Sequence, residues 1–241
     1  MSVGLVETVR ERTADLPGDL RQEIARATAE ILDAGVSSVD GLRTFLHNRE
    51  IPSNQRAIAC YVAGRLGDSE FEPLLTEAFS SSSDPGVIWE AAKALVLIRN
   101  AATVPKLRSA LLEDCDVTRR TAAAWALGAF GEHEAVPDLQ RVLGDREADE
   151  QIRAHTAEAL GALKAREATD DLLNALHDNS AEIRYWAAYA LGALRELRAV
   201  EALDELARTD TATVTSGASV ADEARWAVEQ IRAARTKSSP N

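Results

Sequence analysis

The chain of 241 residues carries 27 basic and 39 acidic side chains, a formal charge of −12, and is 46% hydrophobic and 27% charged. That balance belongs to a folded chain and excludes intrinsic disorder. It also weighs against nucleic acid as a partner, because such binding relies on Lys and Arg neutralising phosphates. With 4 Trp, 3 Tyr, 4 Phe and 13 Gly against abundant Ala, Leu and Arg, the composition favours helix over a β-sandwich or barrel. No apolar run is long enough to span a membrane, and the opening MSVGLVETVRERTADL has charges where a signal peptide needs an apolar core. Two cysteines, Cys60 and Cys115, cannot staple a chain of this size and fit a reducing cytoplasm, the expected location.

In chain order, residues 2–14, 19–34 and 37–48 read as helices and form a divergent N-terminal cap, residues 1–48. A repeat then sets in over residues 49–234, continuous with the cap as one domain. Its first pattern runs Arg56–Gly67 (RAIACYVAGRLG), Ile88–Arg99 (IWEAAKALVLIR), Arg120–Gly131 (RTAAAWALGAFG), Arg153–Lys164 (RAHTAEALGALK) and Arg184–Arg195 (RYWAAYALGALR). A weaker sixth copy is Ala221–Arg232 (ADEARWAVEQIR). The anchors Ala63, Leu95, Leu127, Leu160, Leu191 and Val228 are spaced 32, 32, 33, 31 and 37, the last interval stretched by a polar insert at Thr209–Ser219. Between the copies runs a second apolar pattern with leucines at Leu74, Leu107, Leu139, Leu172 and Leu203. Both patterns recur at i, i+3, i+4, i+7, the spacing of one helix face. Pro73, Pro105 and Pro137 sit where a first helical turn tolerates a missing N–H. Each repeat is therefore a helix pair that must stack on its neighbours to bury both faces. Ser80–Gly86 reads as a loop, and residues 235–241 as a disordered tail.

The run V/I-R-x-x-A-A-x-A-L-G-x-L, followed by a turn and A-V-P-x-L, resembles HEAT repeats, and most closely the short HEAT-like repeats of phycobilisome lyases. Ile183–Leu203 (IRYWAAYALGALRELRAVEAL) is a strong instance. The resemblance implies an all-α fold, an α-α superhelix of about six to seven stacked antiparallel helix pairs of the armadillo-like class. It also implies that the helix bearing the Arg lines the concave side. The family often sets an acidic residue six positions before that Arg. Here Arg56, Arg120, Arg153 and Arg184 have Glu50, Asp114, Glu147 and Asp178 at that offset. These are read as a structural ladder between neighbouring repeats.

Every Trp and Tyr falls on inner-helix positions that the repeat pattern leaves open. One such position reads Tyr61, Lys93, Trp125, Glu158, Tyr189, Trp226 along the array. The position four residues earlier holds Trp89 and Tyr185, and the next holds His155 and Trp186. Seven large aromatics on one face, with Glu90, Glu158, Asp222 and Glu223 beside them, predict a binding groove. Tyr61, Trp89, Lys93, Trp125, His155, Glu158, Tyr185, Trp186, Tyr189 and Trp226 are its expected lining. The expected occupant is a protein segment with basic and apolar groups, held partly by cation–π contacts. A single ring at such a position usually covers its own helix, so the expectation rests on the alignment of all seven.

Catalytic chemistry is not expected, nor is a cofactor or a metal. His47, His133, His155 and His177 form neither HExxH nor a zinc spacing. His133–Glu134 is similar to the His-Glu pairs of deoxyhypusine hydroxylase, but that di-iron chemistry needs several such pairs at matched repeat positions. His155 and Glu158, three apart on one helix face, read as a solvated polar patch. Cys60 occupies a small packed position and reads as a core filler. The leading expectation is a non-catalytic adaptor or scaffold of undetermined oligomeric state. Two alternatives come with the resemblance: a tetrapyrrole-handling subunit of the phycobilin-lyase type, and a DNA-binding array, which the acidic charge disfavours.

Overall fold

The computed structural model describes residues 4–48 and 50–237, with side chains to 235. It holds fourteen α-helices and no strand among the described residues. The helices group into two compact units, residues 1–106 and 107–241. In the first, α1 (Leu5–Arg12), α2 (Gly18–Asp33) and α3 (Val39–His47) precede α4 (Ser53–Leu66), α5 (Glu72–Ser81), α6 (Pro85–Ile98) and the start of α7 (Val104–Glu113). In the second, the rest of α7 leads into α8 (Val117–Phe130), α9 (Val136–Gly144), α10 (Glu150–Ala162), α11 (Thr169–Ala175), α12 (Ala181–Leu194), α13 (Val200–Thr209) and α14 (Val220–Lys237). No helix among these residues is long and apolar enough to cross a membrane.

Local chemistry starts and stops these helices. Asp84, Asp116 and Asp149 cap α6, α8 and α10 by accepting from the backbone N–H of Val87, Arg119 and Gln151. Four inner helices end in a left-handed residue at matched repeat positions: Gly67, Arg99, Gly131 and Arg195. A one-turn 3₁₀ segment follows before each of α5, α7, α9, α11 and α13. Pro73, Pro105 and Pro137 occupy the second position of α5, α7 and α9, inside the turn whose N–H groups have no helical partner.

In the first unit α2, α4 and α6 pack in sequence, with α3 and α5 behind them and α1 against α2 and α4. In the second, α8, α10, α12 and α14 form the same kind of row, with α9, α11 and α13 behind. The row is held by its smallest residues. A Cβ on Gly64 would lie 2.7 Å from the Ala94 Cα, and one on Gly128 2.7 Å from the Ala159 Cα. For Gly161 against Ala190 and Gly192 against Ala227 the separation is 2.8 Å. The Ala-Leu-Gly of the repeat is thus a contact surface. Gly is required there so that one backbone can rest on the next helix, while the anchor leucines Leu95, Leu127, Leu160 and Leu191 are fully buried beside it.

Several details depart from the sequence expectation. The core position of α5 is Leu75, fully buried, rather than Leu74. Buried Phe71 starts that helix pair and sets its register. The loop expected over Ser80–Gly86 shrinks to residues 82–84, because the Asp84 cap and Pro85 begin α6 early. The polar insert folds back on itself, with the Val214 N–H donating to the Ala218 carbonyl at 2.9 Å and Gly217 at φ 85° in the turn. Helix α14 runs to Lys237, past the expected tail boundary at 235; residues 238–241 of that tail lie outside the described residues, as do residues 2 and 3 of the first expected helix.

Candidate interaction surface

The expected site residues divide between the two units. Tyr61, Trp89 and Lys93 belong to the first, on α4 and α6. There the Tyr61 hydroxyl donates to the Glu23 carboxylate of α2 at 2.8 Å, and the Arg65 guanidinium lies over the Tyr61 ring, 5.1 Å from its centroid. Burial and the Glu23 carboxylate both push the Tyr61 phenol above its usual range. Lys93 pairs with Glu90 at 2.9 Å. These groups, with Ala94 and Leu97, line a cleft of about 240 Å³. The Tyr61 ring thus lies between the Glu23 carboxylate and the Arg65 guanidinium, whose Nε is buried without a hydrogen-bond partner among the described residues.

Trp125, His155, Glu158, Tyr185, Trp186, Tyr189 and Trp226 belong to the second unit. From His155 onward they form a continuous chain of ring contacts across α10, α12 and α14. His155 stacks near Trp186 with centroids 6.4 Å apart. Trp186 meets Tyr185 edge-on at 5.3 Å and Tyr189 edge-on at 5.5 Å. Tyr189 lies parallel to Trp226, 8° between planes and 5.7 Å between centroids. Trp226 reaches α12 over Gly192, whose missing side chain makes room for it. Tyr185, Trp186 and Tyr189 are half-buried and Trp226 is 37% exposed. Trp125 is half-buried on α8.

Carboxylates edge this chain of rings. Glu158 lies 2.8 Å from His155 Nδ1. Glu182 accepts from the Thr215 backbone N–H at 2.6 Å, so the polar insert holds it in place. Glu223 on α14 is half-buried one turn before Trp226, and burial raises its pKa by more than the nearby Tyr185 phenol lowers it. The Tyr185 phenol is pushed up to about 12, first by burial and then by Glu223 and Glu182. The inner-helix positions are not uniformly open, however. Where the sequence supplies Thr121, Ala122 or Ala154 the position is buried, so the face is built only where large residues reach out of the row.

The Arg ladder takes a different offset from the expected one. Among the described residues, Glu50 and Glu147 pair with neither Arg56 nor Arg153, and the Arg56 Nε is buried without a hydrogen-bond partner. Asp114 pairs with Arg119 at 2.9 Å, while the Arg120 Nε donates to the Leu111 carbonyl. Arg153 donates to the Leu143 carbonyl at 3.0 Å and to Asp178 at 2.7 Å, in the following repeat. Arg184 donates to the Asp178 and Asn179 carbonyls and to Asp210 at 2.7 Å. The reason is geometric. The end of each outer helix leaves carbonyls without partners, the guanidinium satisfies one, and its outer edge then faces the next turn. A buried hub in the first unit had no counterpart in the expectation: Glu72 accepts from Thr76, Thr103 and Lys106. Its only sequence signal is an acid at an outer helix start.

No cluster of three or more His, Cys, Asp or Glu side chains among the described residues is placed to hold a metal. Cys60 is fully buried and its thiol is pushed up to about 12 by that burial, which leaves it protonated, and Cys115 is exposed.

The description of HEAT repeats matches residues 39–126, 72–150 and 145–221. No curated protein sequence matches the chain. Among solved structures it is similar to the CpcE–CpcF complex of phycocyanin lyase from Nostoc sp. PCC7120, at 22% identity and TM-score 0.54 over 66% of this chain and 99% of that one. It is also similar to YibA of Escherichia coli, at 18% identity and TM-score 0.56 over 93% and 80%. An engineered protein matches at 21% identity and TM-score 0.51 over 80% and 95%. At these identities the likenesses speak for the fold alone. The repeat matches run through most of the chain and coincide with the stacked helix pairs, and the chain belongs to the HEAT-repeat family.

Proposed function

We propose that this protein is a non-catalytic adaptor whose second unit binds a protein segment across the inner face of α10, α12 and α14. One observation carries this reading: five rings, His155, Tyr185, Trp186, Tyr189 and Trp226, touch in sequence while remaining partly exposed. Rings that merely completed the core would be buried like Phe71 or Phe79. Aromatic side chains clustered at a partly exposed face supply large contact area at low entropic cost and retain a polar tip, the combination enriched at interface hot spots. Glu158, Glu182 and Glu223 set the sign of the partner as basic. A helix or extended segment of three to four turns spans three packed helices at 8–10 Å each.

The test is a random-peptide display selection on the wild-type protein, with counter-selection on a Trp186→Ser/Tyr189→Ser variant of matched helicity. Enrichment of sequences that bind the wild type at least tenfold more tightly supports the reading. Recovery of peptides that ignore the substitution, or of none, overturns it. The similarity to the CpcE–CpcF structure adds one arm. A linear tetrapyrrole that binds the same rings with a changed visible spectrum, while no peptide does, replaces the adaptor reading with a pigment-handling one.

A further inference from the structure

The two units present the same chemistry in different states of completion. In the first, three groups close on one another: Glu23 accepts from the Tyr61 hydroxyl, and Arg65 covers the Tyr61 ring. In the second, half-buried Glu223 stands one turn before Trp226 on α14, and Trp226 lies parallel to Tyr189. The guanidinium is missing. Arg65 stands four residues after Tyr61; four residues after Trp125, Glu158 and Tyr189 the chain carries Ala129, Ala162 and Ala193. Among the described residues no basic side chain lies over the rings of Tyr185, Trp186, Tyr189 or Trp226, and none pairs with Glu223. Of the cations adjacent in sequence, Arg225 is held by Asp222 and the Ala207 carbonyl, and Arg184 by Asp210 and the Asp178 and Asn179 carbonyls.

A half-buried carboxylate with no cation beside it is costly to keep charged. The rings around it present π faces and edges that attract a cation. We infer that Glu223, Tyr185, Trp186 and Trp226 form a subsite for one arginine side chain of the bound segment, supplying from outside the guanidinium that Arg65 supplies from within the first unit. Guanidinium is favoured over ammonium for two reasons. Its planar faces stack on Trp and Tyr rings while its edge donates in parallel to a carboxylate, which a compact ammonium cannot do. And the Glu223 carboxylate has lone pairs on both oxygens with which to accept from a fork of N–H groups. This inference rests on the reading of the second unit as a protein-binding face and adds the identity of its anchoring residue.

The test needs no known partner. The probes are N-acetyl-arginine amide and its neutral isostere N-acetyl-citrulline amide, titrated at millimolar concentration against the whole protein. The readout is the NMR signal of each indole N–H. Saturable shifts of Trp186 and Trp226 with the arginine probe and none with citrulline are the expected result. Glu223→Gln, which keeps the shape of the side chain, should weaken the arginine probe about tenfold, the size of one charge-assisted contact. Equal shifts with arginine and citrulline overturn the inference, as does a Glu223→Gln variant that binds arginine like wild type. The two proposals fail separately: a display selection that returns Trp186-dependent peptides without arginine leaves the adaptor reading standing and removes this one.

Discussion

Arg153 and Arg184 show how a single side chain serves both its own repeat and the next. Each satisfies carbonyls left over at a helix end and then donates to an aspartate, Asp178 or Asp210, that is itself fixed by a backbone N–H of its own turn. Burial alone would raise the carboxyl pKa of both aspartates, but for Asp178 the Ser180 N–H and Arg153, and for Asp210 Arg184 and the Ala212 N–H, hold it below the usual carboxylate range. A folded pKa below the unfolded value of about 3.9 means the stabilisation is complete above that pH and lost as pH falls through the lower folded value. The Asp178→Asn/Asp210→Asn variant is therefore expected to be less stable at pH 7 by about 2–3 kcal/mol per site, since removing one member leaves a buried guanidinium unpaired. Its urea midpoint should also vary less than that of wild type between about pH 4 and pH 2. Parallel curves for the two proteins would show that the pairs carry no linkage. Glu223 behaves in the opposite sense. Its raised pKa means that the charged form, populated at higher pH, is disfavoured by folding.

At the scale of helices, the spacing of the inner row is set by Gly128, Gly161 and Gly192, each resting on an alanine of the next helix. Alanine at such a glycine improves helix propensity by up to about 1 kcal/mol, but at 2.8 Å the added carbon meets the Ala190 backbone, which cannot rotate away. Overpacking of this kind costs about 1–3 kcal/mol. Gly161→Ala should lower Tm by about 3–6 °C, taking about 2–4 °C per kcal/mol for a chain of this size. Gly144→Ala, at the end of α9 with open space around it, should leave Tm unchanged or raise it slightly. Calorimetry on the two variants separates contact from propensity. This row was legible in the sequence because a backbone contact tolerates only Gly and Ala, and the requirement recurs every 31–33 residues. The pairing of Arg153 with Asp178 was not. Period alone cannot distinguish an acid six residues behind from one 25 residues ahead, when both stand in equivalent turns. The Leu74 and Leu75 ambiguity is similar: adjacent leucines both fit a 3.6-residue period, and only the placement of Phe71 decides. For the candidate surface, the alignment of the aromatics was readable, but their division was not. Arg65 covers Tyr61 from the next turn of the same helix, and Glu23 reaches it from α2, which lies outside the repeat pattern.

For the molecule as a whole, the charge of −12 acts on any partner before contact is made. A net field of this sign raises the encounter rate with cationic segments and lowers it with polyanions, and salt screens it over about 8–10 Å at physiological strength. The rings act only at contact, where apolar burial is insensitive to moderate salt. The two contributions therefore separate in kinetics. For an arginine-bearing peptide recovered by selection, stopped-flow association should slow about tenfold between 0.02 and 0.5 M NaCl, while dissociation changes less than about threefold. A labelled 20-base-pair duplex should show no binding even at 0.05 M salt, where phosphate-directed proteins bind tightly. If salt instead accelerates dissociation and leaves association unchanged, Glu158, Glu182 and Glu223 act as direct contact pairs and the long-range field contributes nothing. If the duplex binds, a local basic surface has outweighed the net charge, and a protein segment is no longer the ligand best suited to this chain.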